Sequence, residues 1–587
     1  MTTSPQPASG VWPRPVPLIG DPTSASERRS DPTGWAFDPV ERDAFYRVVA
    51  ARRDVRRFRP DPVPAEVLHR VLGAAHAAPS VGHSQPWRFV VVTDPAIRDR
   101  AAVLTDRERL RQAAQLEPDA ARRLLDLKLE GVRDAPLGVV VCCDRRTPAA
   151  GVLGRATFPD ADLWSCAAAI QNLWLAARAE GLGMGWVTLF RPEELAGLLD
   201  LPDGVVTLGW LCVGWPDERP PAPGLERAGW SRRLPLADVV LRDGWSGTAA
   251  APPPSALRGP DQPAVVAARD GADRLLTPPG SLGILDAAVD RAVALGRAEL
   301  AGGTLVLAAA DHPVAAHGVS AYDPSTTRDV VAAAVAGSAL GVGAARGAGL
   351  RTVVVDAGIA GAAVPGAVAV RPAGPRGDLL TGPALTAEDA AALLEAGRAL
   401  GTQAADPGLV ALGEVGVANT TVAAALACGL LGTDPEAVVG LGAGADSAML
   451  ERKTAVVSGA VDRARATRPD LATDPLAALT ELGGPELVVL TGVTLGAAAE
   501  RAVVVIDGFA TALAALAAVL LEPAAQASLV AGQRSRERGH ELALQALGLE
   551  PLLDLRMRAG EGAGAALAAG LLLAGLRVRR ETARVDR

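Results

Sequence analysis

Residues 247–263, with the sequence GTAAAPPPSALRGPDQP, decide how the fold is divided. The segment is rich in Pro, Gly, Ala and Ser, a composition typical of a linker between domains. We therefore predict two domains, at 37–245 and 264–587, joined by a linker at 246–263. Residues 1–36 have a similar composition, rich in Pro, Ser and charge, and are expected to form a disordered tail.

The aromatic residues differ sharply on the two sides of this linker. All ten Trp lie at or before Trp245, whereas Tyr322 and Phe509 are the only aromatic residues after position 250. The second half must build its core from Ala, Val, Leu and Gly, so two separately evolved domains are expected.

The composition of the whole chain also limits the classes of function. With 49% hydrophobic and 21% charged residues and a net charge of −8, the chain is globular and poorly suited to general nucleic-acid binding. Its five cysteines show no metal-knuckle spacing, so we expect reduced thiols, no metal and a cytoplasmic location. The first residues lack the apolar core of a signal peptide, and no apolar run is predicted to span a membrane.

The two halves show different patterns of secondary structure. In the first half, apolar spacing predicts a helix at Asp162–Glu180 that ends at Gly181, and strands are predicted at Arg88–Val92 and Leu137–Cys142. In the second half, predicted strands run into Gly or an acidic residue and alternate with Ala/Leu-rich helices; they are Leu305–Ala309, Thr352–Val355, Ala437–Val439 and Val503–Ile506. This order predicts a parallel α/β sheet with polar residues at its carboxyl edge.

Three segments of the first half have features suited to binding an anion and a planar ring. Residues 52–58, RRDVRRF, place four arginines within six positions, and arginine forks suit phosphate, although a solvated helix face has the same pattern. Residues 77–87, AAPSVGHSQPW, form a small-residue turn with hydroxyls and an amide, which could also be an ordinary loop. Residues 180–188, EGLGMGWVT, carry alternating glycines that permit close backbone contact, a weak signal alone.

Together these segments resemble the FMN-binding pattern of the nitroreductase fold. Residues 127–131 (LKLEG), 171–178 (QNLWLAAR) and 185–187 (GWV) resemble the 5,6-dimethylbenzimidazole synthase family specifically, over about residues 40–235. The resemblance implies an α+β nitroreductase-like fold and an enzyme that consumes reduced FMN and dioxygen to release dimethylbenzimidazole.

The resemblance also assigns roles to individual residues of this domain. Asp54 would accept a proton near the ribityl chain, and Thr188, where the family has serine, would hydrogen-bond the reactive flavin nitrogen. The flavin itself would be held at its phosphate, ribityl chain and ring by Arg52, Arg53, Arg56, Ser80, Gln85, Gly183, Gly185 and Arg233.

Two glycine-rich turns of the second half each carry one carboxylate. Residues 560–564, GEGAG, place Glu561 among apolar residues, where burial can make a carboxylate a general base. Taken in isolation, the pattern favours a carboxylate near a helix start that the helix dipole satisfies. Residues 413–421, GEVGVANTT, place Glu414 before an Ala-rich helix whose N–H groups suit phosphate or ribose. Residues 533–540, QRSRERGH, add cations and a hydroxyl.

These turns resemble motifs of nicotinate-nucleotide:dimethylbenzimidazole phosphoribosyltransferase. The segments 277–283 (TPPGSLG), Asp311-His312, 318–322 (GVSAY) and 507–509 (DGF) match in order, and the resemblance covers about residues 265–578. It implies a Rossmann-like fold with a small helical subdomain, and transfer of phosphoribose from nicotinate mononucleotide to dimethylbenzimidazole, giving α-ribazole 5′-phosphate. Glu561 would be the base with Glu414 beside it, and substrates would contact Ser320, Asn419, Lys453, Asp507, Gly508, Phe509, Arg534, Ser535 and Arg558.

Several positions of the second half depart from that family. A glutamine is replaced by Arg328, a glycine by Ala418, a histidine by Gln533 and an acidic residue by His317. Three hypotheses therefore stay open: a bifunctional enzyme, an active synthase fused to a degenerate benzimidazole-binding domain, and a plain FMN-dependent nitroreductase. A homodimer is expected, together with a separate flavin reductase or free reduced FMN as the source of reduced flavin.

Overall fold

The computed structural model describes residues 29–31, 33–126, 131–245, 255–278, 280–440 and 447–584. The chain forms two compact units, one at Ala36–Ala251 and the other containing Pro252–Arg587. The predicted two-domain architecture is therefore confirmed. Most of the predicted tail, residues 246–254 of the predicted linker, the segment 127–130 and most of the loop after Gly440 lie outside the described residues.

The first unit is built on an antiparallel sheet of four strands in the order β1-β2-β4-β3. Its strands are β1 (Trp87–Val92), β2 (Leu137–Asp144), β3 (Gly183–Val187) and β4 (Val205–Gly214). Apolar side chains fill both faces, with Trp210 fully buried on one and Ile170 on the other. Its helices are Pro39–Ala51, Ala65–His76, Pro95–Ala113, Pro118–Asp126, Gly131–Asp134, Ala161–Ala179, Pro192–Leu198, Gly224–Arg227 and Leu236–Val239, with 3₁₀ turns at Val81–His83 and Ala149–Gly151.

The central helix of this unit, Ala161–Ala179, lies within one residue of its predicted bounds. It ends because Gly181 takes a left-handed φ of 83°. The N–H of Leu182 then donates to the carbonyl of Ala177 at 2.8 Å, which satisfies a carbonyl at the helix end. The helix thus delivers the chain directly into β3.

The second unit is built on a parallel sheet of six strands in the order β10-β9-β8-β5-β6-β7. The strands are β5 (Gly303–Ala310), β6 (Leu350–Gly358), β7 (Val368–Ala369), β8 (Leu409–Val415), β9 (Val503–Ile506) and β10 (Leu529–Ala531). The predicted parallel α/β fold is confirmed. The surrounding helices are Gln262–Asp273, Ile284–Ala294, Ser325–Val335, Leu340–Gly347, Ala387–Ala404, Asn419–Leu431, Pro435–Val438, Ser447–Thr467, Pro475–Leu482, Pro485–Ala499, Phe509–Leu521, Arg538–Leu547 and Ala563–Glu581, with 3₁₀ turns at Pro313–His317 and Pro523–Ser528.

Two sequence expectations are changed by the structure of this unit. Ala437–Val439 was expected to be a strand, but Pro435–Val438 forms a short helix. Proline at the first helical position is already fixed at a helical φ, which favours a helical turn over a strand. The helix Gln262–Asp273 also begins within the predicted linker, where Asp261 caps it through the N–H of Ala264.

Glycine allows two helices of the second unit to touch backbone to backbone. Gly492 in Pro485–Ala499 faces the carbonyl of Leu394 in Ala387–Ala404, and a Cβ on Gly492 would overlap that oxygen. The same holds for Gly397 against Val489. A core poor in aromatic side chains is thus closed by bringing helix backbones together.

Gly492→Ala is expected to lower the free energy of unfolding of the second unit by about 1–3 kcal/mol, because the added methyl group cannot be accommodated. Gly343→Ala is the matched control: Gly343 is an exposed helical glycine with no atom within 4 Å of a Cβ, so the change should raise stability by about 0.5–1 kcal/mol. Thermal or chemical denaturation of the two variants measures the difference, and equal stabilities would contradict the proposed backbone contact.

Candidate functional sites

An arginine-lined cavity of about 1230 Å³ lies in the first unit. It is formed where the chain leaves the helix Pro39–Ala51 and runs beside β3, with the N–H of Val55 donating to the carbonyl of Met184 at 3.0 Å. The cavity brings together five of the residues selected from the sequence, which are Arg52, Arg53, Asp54, Arg56 and Arg233.

The positive side chains of this cavity are held close together. The guanidinium of Arg52 stacks over the ring of Trp174, 4.5 Å from the ring centroid. Burial lowers the pKa of Arg52 from its ordinary value, and the nearby charges of Arg233 and Arg53 lower it further, while Asp54 opposes them. In the part of the chain that the structure describes, the buried Nη1 of Arg56 has no hydrogen-bond partner. An anion such as a phosphate would supply that partner and relieve the repulsion.

Asp54 contributes a carboxylate to the same cavity. Its Oδ1 accepts the N–H of Trp186 at 3.2 Å, and its Oδ2 accepts from the guanidinium of Arg56. Loss of water around the carboxyl raises the pKa of Asp54, and the charge of Arg56 acts in the opposite direction. Asp54 is therefore a carboxylate whose proton affinity has been increased, as suits a group that accepts a proton.

Gly183 and Gly185 are needed because the backbone of β3 lies in close contact with Val55. A Cβ on Gly183 would lie 2.9 Å from Val55, and one on Gly185 would overlap the carbonyl oxygen of Val55. The alternating glycines let the arginine segment lie against β3, a reason the sequence pattern did not reveal. Their contact with a flavin stays a prediction.

Ser80, Gln85 and Thr188 are not among the described residues that line the arginine cavity. Ser80 accepts the N–H of Gln85 at 3.1 Å across a tight turn, where His83 (φ 52°) and Gln85 (φ 47°) are both left-handed. Such backbone is unfavourable for residues other than glycine and often marks functional turns. Thr188 follows β3 and is exposed.

Sequence reasoning assigned no role to some lining residues of the arginine cavity. Gln171 on the central helix projects into it, and Glu218 accepts the N–H groups of Arg56 at 2.7 Å and Arg57 at 3.2 Å. The helical spacing from Gln171 to Trp174 placed both on one face, which is the signal that could have indicated Gln171.

A cavity of about 220 Å³ lies at the carboxyl edge of the parallel sheet in the second unit. It brings together Ser320, Glu414, Asn419, Lys453 and Glu561 from four separate segments. Its apolar wall includes Val330 and Met449, which sequence reasoning did not select.

The two glutamates of this cavity are joined through their backbones. Glu561 has a left-handed φ of 63°, and its N–H donates to the carbonyl of Glu414 at 3.1 Å. One carboxylate oxygen of Glu561 accepts the N–H of Gly341 at 3.0 Å. Since a Cβ on Gly341 would overlap the carbonyl of Glu561, the strained turn is held by close packing on both sides.

Glu414 lies near the end of β8, beside the Glu561 turn. Burial, followed by the negative charges of Glu486 and Asp507, raises the pKa of Glu414 to about 8. The amide of Asn419, which donates to the Glu414 carboxylate, opposes this shift, and Glu561 adds to it. Glu414 therefore keeps its proton at neutral pH.

Lys453 supplies the positive charge of the cavity. Its buried ammonium donates to the hydroxyl of Thr420 at 3.0 Å and to the carbonyl of Gly440 at 3.3 Å. Burial lowers the pKa of Lys453 from its ordinary value, while Glu537 opposes the shift. The ammonium is thus held beside the start of the helix Asn419–Leu431, where an anionic substrate is also favoured by the helix dipole.

The remaining predicted substrate residues lie outside the described lining of this cavity. Asp507 is buried and accepts from the N–H of Ala565 at 3.0 Å and the amide of Gln533 at 3.1 Å, and burial raises its pKa to about 7. Phe509 is buried against Gly539. Gly508 packs near Ser535. The side chains of Arg534 and Arg558 are exposed.

Three of the positions that depart from the family pattern have partners of their own, whereas Ala418, in place of a glycine, takes a left-handed φ of 71°. Arg328 donates to the carbonyls of Ala360 at 2.7 Å and Ala362 at 2.5 Å, and is not among the described residues lining the cavity. His317 pairs with Asp378, with 2.6 Å between Nε2 and Oδ2. Gln533 holds Asp507, as described above. These replacements are thus accommodated structurally.

Comparison with known proteins finds matches for both units. A phosphoribosyltransferase family profile matches residues 257–587, and a nitroreductase family profile matches residues 49–215. A 5,6-dimethylbenzimidazole synthase from Rhodospirillum rubrum is 46% identical over 205 residues, which cover 35% of this chain and 96% of that protein.

The second unit has both sequence relatives and a solved structural relative. A nicotinate-nucleotide–dimethylbenzimidazole phosphoribosyltransferase from Desulforamulus reducens is 39% identical over 339 residues, covering 56% of this chain and 95% of that protein. The crystal structure of the enzyme of that name from Thermus thermophilus is 40% identical, has a TM-score of 0.51, and covers 56% of this chain and 99% of that one.

Proposed function

Because the chain belongs to the phosphoribosyltransferase family through its second unit and to the nitroreductase family through its first, we propose that it catalyses two consecutive steps of cobalamin lower-ligand biosynthesis. The first unit would convert reduced FMN and dioxygen to 5,6-dimethylbenzimidazole. The second would transfer phosphoribose from nicotinate mononucleotide to that base, giving α-ribazole 5′-phosphate. The proposal rests on the cavity that Glu561, Glu414 and Lys453 line together. It is supported by the similarity of the first unit to a 5,6-dimethylbenzimidazole synthase.

The arginine cavity fits the phosphate of FMN. Arg52 and Arg56 supply forks suited to a phosphate. Nη1 of Arg56, which has no hydrogen-bond partner among the described residues, is a donor that such a group would satisfy. Bound reduced flavin supplies the ring from which the base is made. Asp54 takes up a proton beside it, and Arg233 also lines the cavity.

In the second unit, Glu561 acts as the general base. Its carboxylate removes the ring N–H proton of dimethylbenzimidazole while the other ring nitrogen forms a bond to the anomeric carbon of nicotinate mononucleotide. The bond from that carbon to the nicotinate nitrogen breaks, and nicotinate leaves with inversion. Glu414 keeps its proton and so adds no second negative charge, while Lys453 and the helix start favour the anionic nucleotide.

A homodimer is part of the proposal. The helix Pro39–Ala51 has no buried residue among those described, yet it exposes Phe45 and Tyr46 at 56% and 67%. A second copy covering this helix would bury an otherwise exposed apolar face, and could bring Ser80 and Gln85 to the arginine cavity. Light scattering coupled to size exclusion tests this, and a monomer at all concentrations would contradict it.

Arg56→Ala is expected to weaken FMN binding about tenfold or more, because a charge-assisted contact to phosphate contributes roughly 1.5–3 kcal/mol. Arg122→Ala is the matched control, since Arg122 is exposed and pairs with Asp119 on a surface helix. Quenching of flavin fluorescence measures both affinities. Equal affinities of the two variants would show that the arginine cavity does not bind the phosphate of FMN.

The proposed function is tested on the full chain in two assays. Aerobic incubation with chemically reduced FMN, or with a separate flavin reductase, should yield dimethylbenzimidazole and an equal loss of flavin. Incubation of dimethylbenzimidazole with nicotinate mononucleotide should yield α-ribazole 5′-phosphate by mass spectrometry. Flavin that cycles without loss would indicate a plain nitroreductase, and benzimidazole binding without product would indicate a degenerate second unit. We also propose that the protein is located in the cytoplasm.

A further inference from the structure

One wall of the cavity in the second unit is a short segment outside the helices and strands. Residues 319–322 all line the cavity. They follow the 3₁₀ turn Pro313–His317, which ends where Gly318 takes a left-handed φ of 65°. Within the segment, Ser320 accepts the N–H of Tyr322 at 3.2 Å. Since no regular backbone ladder supports this wall, tertiary contacts must hold it in place.

His317 makes such a contact with a separate turn of the same unit. Its Nε2 lies 2.6 Å from Oδ2 of Asp378, and the two side chains are 34% and 25% exposed. Because a carboxylate only accepts hydrogen bonds, the ring nitrogen must donate. The acidic residue of the family pattern at position 317 would repel Asp378, so histidine is what permits this contact.

The turn that carries Asp378 is itself fixed to the site. Arg463 donates to the carbonyl of Leu379 at 2.9 Å. Arg463 belongs to the helix Ser447–Thr467, which also carries Lys453 into the cavity. The partner of His317 is therefore held by a helix that forms part of the same site.

A second contact from that helix reaches the residue after His317. Nε of Arg452 donates to the carbonyl of Gly318 at 3.1 Å. Val319, the next residue along the chain, is 1% exposed and packs in the core. Positions 317 and 318 are thus held by two different elements, immediately before the residues that line the cavity.

The segment 319–322 suits one substrate better than the other. It carries no charge, and Val319, Val330 and Met449 give the cavity an apolar wall. An apolar planar ring is favoured against such a wall. The anionic nucleotide is instead favoured near Lys453, whose ammonium lies beside the start of a helix.

We propose that His317, through its pair with Asp378, is a positioning residue that sets the affinity of the second unit for the benzimidazole. The inference rests on the proposed function of that unit. His317 is not among the described residues that line the cavity, so it acts through the wall that follows it. Without the pair, segment 319–322 populates further conformations, and the apparent affinity falls with the fraction of molecules in which the wall is formed.

The experiment uses the full chain and measures dimethylbenzimidazole binding by calorimetry, together with kcat and KM for both substrates. His317→Ala is expected to weaken base binding and to raise the KM for the base by about threefold to tenfold, the effect of one lost hydrogen bond. The KM for nicotinate mononucleotide and kcat at saturating base should not change. His317→Gln, whose amide N–H can take the place of Nε2–H, should restore most of the affinity.

Two further variants test whether the pair itself is responsible. In a chain that already carries Asp378→Ala, adding His317→Ala should cause no further loss of base affinity. A further loss of the full size would overturn the role of the pair. Asp470→Ala is the matched control, because Asp470 pairs with Arg468 at 2.9 Å elsewhere in the same unit, and it should leave base binding unchanged.

The readouts distinguish failure of this inference from failure of the proposed function. Calorimetry needs no turnover, so a chain that binds the base without forming product would reject the transferase function while His317 is still tested. Unchanged base affinity in His317→Ala would overturn the role of His317 alone. Equal losses for both substrates, or equal losses in His317→Ala and His317→Gln, would show a general structural role and overturn it as well. Should His317→Ala fail to fold, His317→Asn, whose shorter amide does not reach Asp378, takes its place.

Discussion

Glu561→Gln is expected to reduce the rate of α-ribazole 5′-phosphate formation by about 10²–10⁴-fold, the usual contribution of a general base. Glutamine has nearly the same shape and can still accept the N–H of Gly341, now 3.0 Å from the carboxylate oxygen, so the strained turn should survive. What it loses is the ability to take a proton from the benzimidazole. Mass spectrometry of the product, with nicotinate mononucleotide in excess, measures the loss.

The control for this variant is Glu395→Gln, because Glu395 is exposed and pairs with Arg398 on its own helix. Its rate should match that of the unmodified chain. Dimethylbenzimidazole binding by Glu561→Gln should stay within a few-fold, since the apolar wall is unchanged. If Glu561→Gln formed product at the unmodified rate, another group would have to be the base, and the neighbouring Glu414 would be the first to examine.

The sequence predicts the fold best where local pattern and tertiary packing agree. Val503–Ile506, a run of β-branched residues, has the predicted bounds, and the central helix Ala161–Ala179 is displaced by one residue. Ala437–Val439 has the same apolar pattern as a short strand, but Pro435 starts a helical turn there instead. For short apolar runs, a flanking proline is therefore a better guide to helix or strand than the spacing of the apolar residues.

The sites were predictable only in part, because they depend on contacts between distant segments. Clustered arginines and glycine-flanked acids are visible in the chain, and the parallel sheet explains why Glu414 lies at an edge that binds ligands. No local pattern, however, places Glu561 against the backbone of Glu414. From the sequence, Gly185 was predicted to contact the ligand, whereas the structure places the carbonyl of Val55 directly beside it.

Asp54→Asn is expected to lower dimethylbenzimidazole formation by about 10²-fold or more while leaving FMN binding intact. Asparagine retains an oxygen for the N–H of Trp186, which Asp54 accepts at 3.2 Å, so the segment beside β3 keeps its place. The negative charge disappears from a cavity lined by arginines, and flavin phosphate should bind at least as tightly. Chromatography of the base after aerobic incubation with reduced FMN, together with fluorescence titration of flavin, separates the two effects.

Asp61→Asn is the appropriate comparison, since Asp61 pairs with Arg59 at 2.8 Å and both side chains are about half exposed. It removes the same charge close by in the chain but outside the arginine cavity, and should leave both readouts unchanged. Loss of flavin affinity in Asp54→Asn would mean that Asp54 maintains the shape of the cavity and is not its proton acceptor. Retention of both affinity and rate would transfer that role to another group, and Glu218, which lines the same cavity, would be the first to examine. The pH dependence of the first step would then no longer follow the raised pKa of Asp54.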